Sequence, residues 1–170
     1  MWEILGFLVG SVIFIVSLVA GLVTLILQGI PLYKMASRRS INNAWLSFIP
    51  LGNTWIMLNL PTNEFNLLGI KAQRSKALWK VVLIMVLMYI PVVVFAGTEL
   101  DFISTVFSFI FSIFSLAFSY RLIKDVLDTY STGSTIAWAI ASIFIPFVQI
   151  IVLYMLMNRD PINRYNNTGF

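Results

Sequence analysis

The sequence predicts an all-α fold: a polytopic membrane helix bundle of four transmembrane helices plus a Pro-broken interfacial or re-entrant helical segment. Three observations predict it. Of 170 residues, 59% are hydrophobic and 11% charged, where a soluble domain carries about 45–50% and about 25%. Mean hydropathy is +0.92, so polar side chains are too few to cover a water-facing particle. Four long apolar runs contain no Asp, Glu, Lys or Arg at all.

The first run, residues 4–30, exceeds the roughly 20 residues that cross a hydrocarbon core. Met1-Trp2-Glu3 supplies no basic n-region, so a spanning helix is expected here, not a cleaved signal peptide. The next runs are 81–97, with Pro91 inside, 102–120 and 135–157. Between them lies a mixed segment, Ala44–Leu60. There Pro50 removes a backbone donor and disfavours the α conformation at Ile49, while Gly52, Asn53, Thr54 and Asn59 dilute the hydrophobicity. Two short helices meeting near Ile49-Pro50 are expected, anchored near the headgroups by Trp45 and Trp55. A single membrane domain, 1–170, follows from the length.

Basic residues near span ends mark the cytoplasmic side. Lys34, Arg38, Arg39, Lys71, Arg74, Lys76 and Lys80 fall in residues 32–80, and Arg121 and Lys124 in 121–134. Four spans with these loops inside put both termini outside. Clustered cations at the mouth of a span set topology; they also attract anionic headgroups or an acidic partner, at about 1 kcal/mol per residue. Because this charge sits in short juxtamembrane loops, nucleic acid is not an expected partner despite a pI near 9.6.

The chemistry available is narrow. Without Cys or His, thiolate catalysis, disulfides and the commonest metal sites are excluded, and no cofactor or metal is expected. No ionisable group lies within a run, so an intramembrane enzyme is not expected. Ser75-Lys76 are sequence neighbours in a basic loop, a weak basis for a nucleophile–base pair. Gln28, Asn53 and Gln149 are the strongly polar candidates near the bilayer; interhelical hydrogen bonding is the ordinary role of such groups. Asp125 and Asp128 read as a solvated amphipathic turn after Lys124. Asn166-Asn167-Thr168 matches a glycosylation acceptor.

Small residues point to close helix approach: Gly6 and Gly10, then Ser17 and Gly21, in the first run, and Ala137 and Ala141 in the fourth. Ser108, Ser112, Ser115 and Ser119 recur at helical spacing in the third run, with phenylalanines in the other directions. That stripe is expected to face protein; a polar conduit opposite Gln28 or Gln149 is the alternative. A homo-oligomer or another membrane protein is a further possible partner for such faces.

Phe48–Asn53, FIPLGN, is echoed by Phe144–Gln149, FIPFVQ. In context, NAWLSFIPLGNTWIML and DTYSTGSTIAWAIASIFIPF resemble the patterns of a family of small polytopic bacterial membrane proteins of unknown function. Asp128-Thr129-Tyr130-Ser131 departs from the Phe-Gly-Lys-like turn expected there, and Gly52 replaces a common aromatic. The resemblance implies a bacterial cytoplasmic membrane and no established catalytic residue. The function expected is non-enzymatic: binding a membrane partner or lipid in an accessory, assembly or immunity-like role. The alternative is a small transporter or channel subunit.

Overall fold

The computed structural model describes residues 2–131 and 133–162; the Asn166-Asn167-Thr168 motif lies outside them. Helix α1 runs from Trp2 to Arg38. A 3-10 helix, Ala44–Phe48, leads through Ile49 into α2, Pro50–Asn59. A β-hairpin follows, β1 Phe65–Leu67 paired antiparallel with β2 Ile70–Ala72. Helices α3, Arg74–Phe95, and α4, Asp101–Tyr130, form an antiparallel pair, and α5, Thr135–Phe144, and α6, Pro146–Leu156, complete the chain. α1, α3 and α4 are long and apolar enough to cross a membrane.

The helices outrun their apolar runs, all towards one end. α1 continues past Ile30 through Pro31 to Arg38, α3 starts at Arg74, before its run, and α4 continues from Tyr120 to Tyr130. At 1.5 Å per residue these extensions reach about 10–15 Å beyond the apolar spans on the basic side. There the 3-10 helix, α2, the hairpin, α5 and α6 pack around them as a cap. The buried core belongs to this cap: Leu32, Met35, Ile56, Leu58, Phe65, Ala77, Leu122, Val126 and Leu153 are all at most 7% exposed. In contrast, Val9, Phe14, Val16, Leu83, Val93, Val106 and Phe109 are each more than half exposed on the bare spans, as lipid-facing side chains are. Each core side chain shielded from water contributes about 1.5–3 kcal/mol; between the bare spans only packing and hydrogen bonds act.

Residues 44–60 break where the sequence predicts. Ile49 is extended, with φ −113° and ψ 137°, and Pro50 opens α2 where its missing N–H costs nothing. Phe48 and Ser47 lie against Gly29, where an added Cβ would sit 2.5 Å from the Phe48 ring. Gly29 is nine residues, about 13 Å, back along α1 from Arg38. The segment therefore turns back along α1 and returns to the end where Arg38 lies.

Residues 135–157 repeat the device, so three helices, not four, are each long and apolar enough to cross a membrane. Ile145 is extended, with φ −127° and ψ 97°, and Pro146 opens α6. α5 and α6 are 10 and 11 residues long, each about 15–16 Å and too short to span. Their outer ends meet: the Ile162 N–H donates to the Thr129 carbonyl at 2.7 Å, and Arg38 donates to the carbonyls of Met157 and Arg159 at 3.2 and 3.4 Å. The pair is a helical hairpin. Consequently Ile162 lies at the same end of the bundle as Arg38 and Tyr130. At the two tips Leu51, Phe144 and Phe147 are 60%, 77% and 71% exposed.

The hairpin β1–β2 was not foreshadowed by the hydropathy runs. Its turn, Leu68-Gly69, has φ of +49° and +86°, the twist that tight hairpins need. Phe65 holds it to α4, edge-to-face on Phe118 with centroids 6.2 Å apart.

Candidate functional site

The seven basic residues of 32–80 separate into three settings. Lys34 donates to Asn158 Oδ1 at 2.7 Å, and Arg38 pairs with Asp160 while donating to the Met157 and Arg159 carbonyls just beyond α6. Arg39 is half-buried beside Tyr130. These three sit where the α1 end meets the α5–α6 hairpin.

Arg74 is the second setting, 7% exposed and not among the headgroup-facing cations. Its guanidinium donates to the carbonyls of Leu58 and Asn63, to Asn63 Oδ1, and to Asp125 Oδ2 at 2.7 Å. Arg121 Nε lies 3.1 Å from the other Asp125 oxygen. Asp125 is 3% exposed, which corrects the expectation of a solvated turn; the neighbouring Lys124–Asp128 pair at 2.6 Å is the more open one. A buried charge needs several partners, and this network ties α2, the loop before the hairpin, α3 and α4 together.

Lys71, Lys76 and Lys80 are the third setting. All three are exposed and line one cavity of about 810 Å³, shared with Asn59, Thr62 and Gln73. Glu64 is the one acid on its wall. Lys80 immediately precedes the apolar run and reaches the Lys71 carbonyl at 3.4 Å, so the ledge stands where the apolar part of α3 begins. Trp79, 69% exposed, flanks it as an interfacial aromatic.

A second cavity, about 590 Å³, opens between α1, α2, α4 and α6. Its outer wall is Leu18, Gly21, Leu22 and Leu25; its floor gathers Gln28, Asn53, Thr54, Ser119 and Gln149. The three polar candidates of the sequence, 25 and 96 residues apart from first to second and second to third, thus meet in one place. Asn53 is 5% exposed and its Nδ2 has no hydrogen-bond partner, an omission worth about 1–3 kcal/mol. Gln149 Nε2 has only the Met57 sulfur at 3.8 Å, a weak acceptor. Among the described residues, no Asp, Glu, Lys or Arg lines this cavity. It sits where the α4 run gives way, at Ser119 to Ile123, to the cap.

The small residues singled out in the sequence lie mostly outside the core. Gly6, Gly10, Ser17 and Gly21 are exposed, and a Cβ at any of the three glycines meets nothing within 4 Å. Close approach in α1 is made at Gly29 instead, and in α2 at Gly52, whose Cβ would collide with the Leu46 carbonyl. In α5 the buried small residues are Ala139 and Ser142; Ala137 is exposed and Ala141 half-buried. On α4, Phe114 and Phe118 are buried, whereas Ser108 and Ser115 are half-buried and Ser112 is exposed, its hydroxyl donating to the Ser108 carbonyl at 2.8 Å. The stripe does not face the core; Ser119 alone reaches the cavity floor. Trp45 is 57% exposed, while Trp55 packs half-buried on the core.

Comparison with known proteins returns no match to a family model, a curated protein or a solved structure.

Proposed function

We propose that the chain is a non-enzymatic integral membrane protein that binds membrane lipid, with the Lys71–Lys76–Lys80 ledge engaging anionic headgroups. The observation that supports this most is the grouping of three exposed lysines around one headgroup-level cavity with a single opposing acid. Arg74, Lys34 and Arg38 are committed to internal partners, whereas the three ledge lysines form no ion pair among the described residues. In this reading the chain resides in a bacterial cytoplasmic membrane, as the family resemblance implies, with the cap on the cytoplasmic side. Lipid covers the bare half of α1; a second membrane helix approaching its Gly6, Gly10, Ser17 and Gly21 face is the partner version of the same role.

Native mass spectrometry of the detergent-purified protein with phosphatidylglycerol and phosphatidylcholine tests this. Phosphatidylglycerol adducts should dominate and should fall sharply in a Lys71→Gln, Lys76→Gln, Lys80→Gln variant. At about 1 kcal/mol per lysine the loss amounts to up to about a hundredfold. Lys124→Gln, whose partner is Asp128, should change nothing. Equal adducts of both lipids, or an unaffected triple variant, would contradict the proposal.

The polar floor of the second cavity favours one other reading, a small transporter or channel subunit. Solute flux through proteoliposomes, lost on Gln28→Leu or Gln149→Leu with the ledge intact, would establish it instead.

A further inference from the structure

We infer that the cavity between α1, α2, α4 and α6 is a binding site for an uncharged glycerolipid of the diacylglycerol class, an ester carbonyl of which accepts a hydrogen bond from Gln149. Gln149 Nε2, on the opposite helix hairpin from α2, is held only by a thioether sulfur at 3.8 Å. Asn53 lines the same cavity, 5% exposed, with its Nδ2 enclosed and without a partner. The unspent group of Gln149 is an N–H donor, so the complementary ligand atom is an acceptor such as a carbonyl oxygen.

Charge narrows the class. No lining residue is ionisable, so nothing there would balance a phosphate, and burying an unpaired charge is costly. The polar part of the ligand is therefore neutral, which separates this site from the lysine ledge and its anionic headgroups. Depth fixes the rest. The floor lies where the apolar run of α4 ends at Ser119-Tyr120, the level at which the ester groups of a bilayer lipid begin. The wall formed by Leu18, Leu22 and Leu25 belongs to the bare part of α1, and Leu18 and Leu22 are 50% and 52% exposed. An acyl chain can lie along that wall while its ester stays at the floor. A volume of about 590 Å³ falls within the range of small-molecule sites.

The test is photolabelling of the full chain in phosphatidylcholine nanodiscs with a diacylglycerol carrying a diazirine on one acyl chain. Label should concentrate on Leu18–Leu25 and Phe118–Ile123. Unlabelled diacylglycerol should compete it away, and an equal amount of phosphatidylglycerol should not. Gln149→Leu should lower labelling about five- to tenfold, the loss expected for one hydrogen bond. Gly21→Phe fills the cavity from its open wall and should block labelling while leaving the fold intact, because a Cβ there meets nothing within 4 Å; it decides the matter if Gln149→Leu fails to fold. Label spread evenly over the bare helices, equal competition by phosphatidylglycerol, or full labelling of Gly21→Phe overturns the inference. The ledge is read separately by phosphatidylglycerol adducts, so the failure of either proposal leaves the other standing.

Discussion

Asp125 Oδ2 accepts a 2.7 Å hydrogen bond from the Arg74 guanidinium, with the two side chains 2% and 8% exposed. The pair joins the start of α3 to the end of α4 inside the cap, 51 residues apart in sequence. Arg74 also satisfies the carbonyls of Leu58 and Asn63, so the pair is the hub of a layer, not an isolated bond.

Breaking it leaves a buried charge without compensation. Asp125→Ala and Arg74→Ala should each cost about 3–5 kcal/mol, seen as a large drop in Tm in detergent. Arg74→Lys should not rescue, because an ammonium cannot serve the same fork of acceptors. Lys124→Ala, removing the more open i,i+4 pair, should cost about 0–1 kcal/mol. Equal effects of Asp125→Ala and Lys124→Ala would refute this ranking.

The glycines divide by what a methyl group would strike. Gly29→Ala and Gly52→Ala place a Cβ on Phe48 and on the Leu46 carbonyl respectively, and should destabilise the re-entrant segment by about 1–3 kcal/mol, the usual cost of overpacking. Gly6→Ala and Gly10→Ala meet open space and should be neutral or stabilising by up to about 1 kcal/mol through helix propensity. Thermal unfolding of the four variants checks the contrast.

A third contrast lies on α4. Ser112→Leu should leave stability nearly unchanged, since that side chain is exposed and its hydroxyl only returns to the Ser108 carbonyl. Phe118→Ala should cost about 3–5 kcal/mol, because its ring supports Phe65 and the hairpin. A serine variant as damaging as the phenylalanine one would restore the packing role of the stripe.

Which features the sequence disclosed follows from the range of the forces involved. The helical membrane character and the break at Ile49-Pro50 are local consequences of composition and of a proline, and both are present. The polar trio Gln28, Asn53 and Gln149 stood out because little else near the bilayer is polar, although their convergence depends on tertiary packing. The fold-back of 135–157 was hidden: an apolar run of that length satisfies a hydropathy count whether it crosses or returns. The FIP motif shared with 48–50 was the available signal, and the same extended-Ile, helix-opening-Pro geometry appears at both places. Arg74 looked like its lysine neighbours because its partner lies far along the chain. The hairpin did carry a short-range cue, the alternation of Phe65, Asn66 and Leu67 before Leu68-Gly69, too brief to stand out against long apolar runs.

The return of α6 to the end of the bundle where α1 finishes is the relationship on which the cap, the second cavity and the lipid reading all depend. Single cysteines at Ser40, Thr98 and Arg159, introduced into a chain with no native cysteine, test it with a membrane-impermeant thiol reagent on oriented intact cells. Labelling of position 98 from outside, with position 159 reached only after permeabilisation and together with position 40, is the predicted result. Labelling of 98 and 159 from the same side would show that residues 135–157 cross the membrane, and would contradict the account.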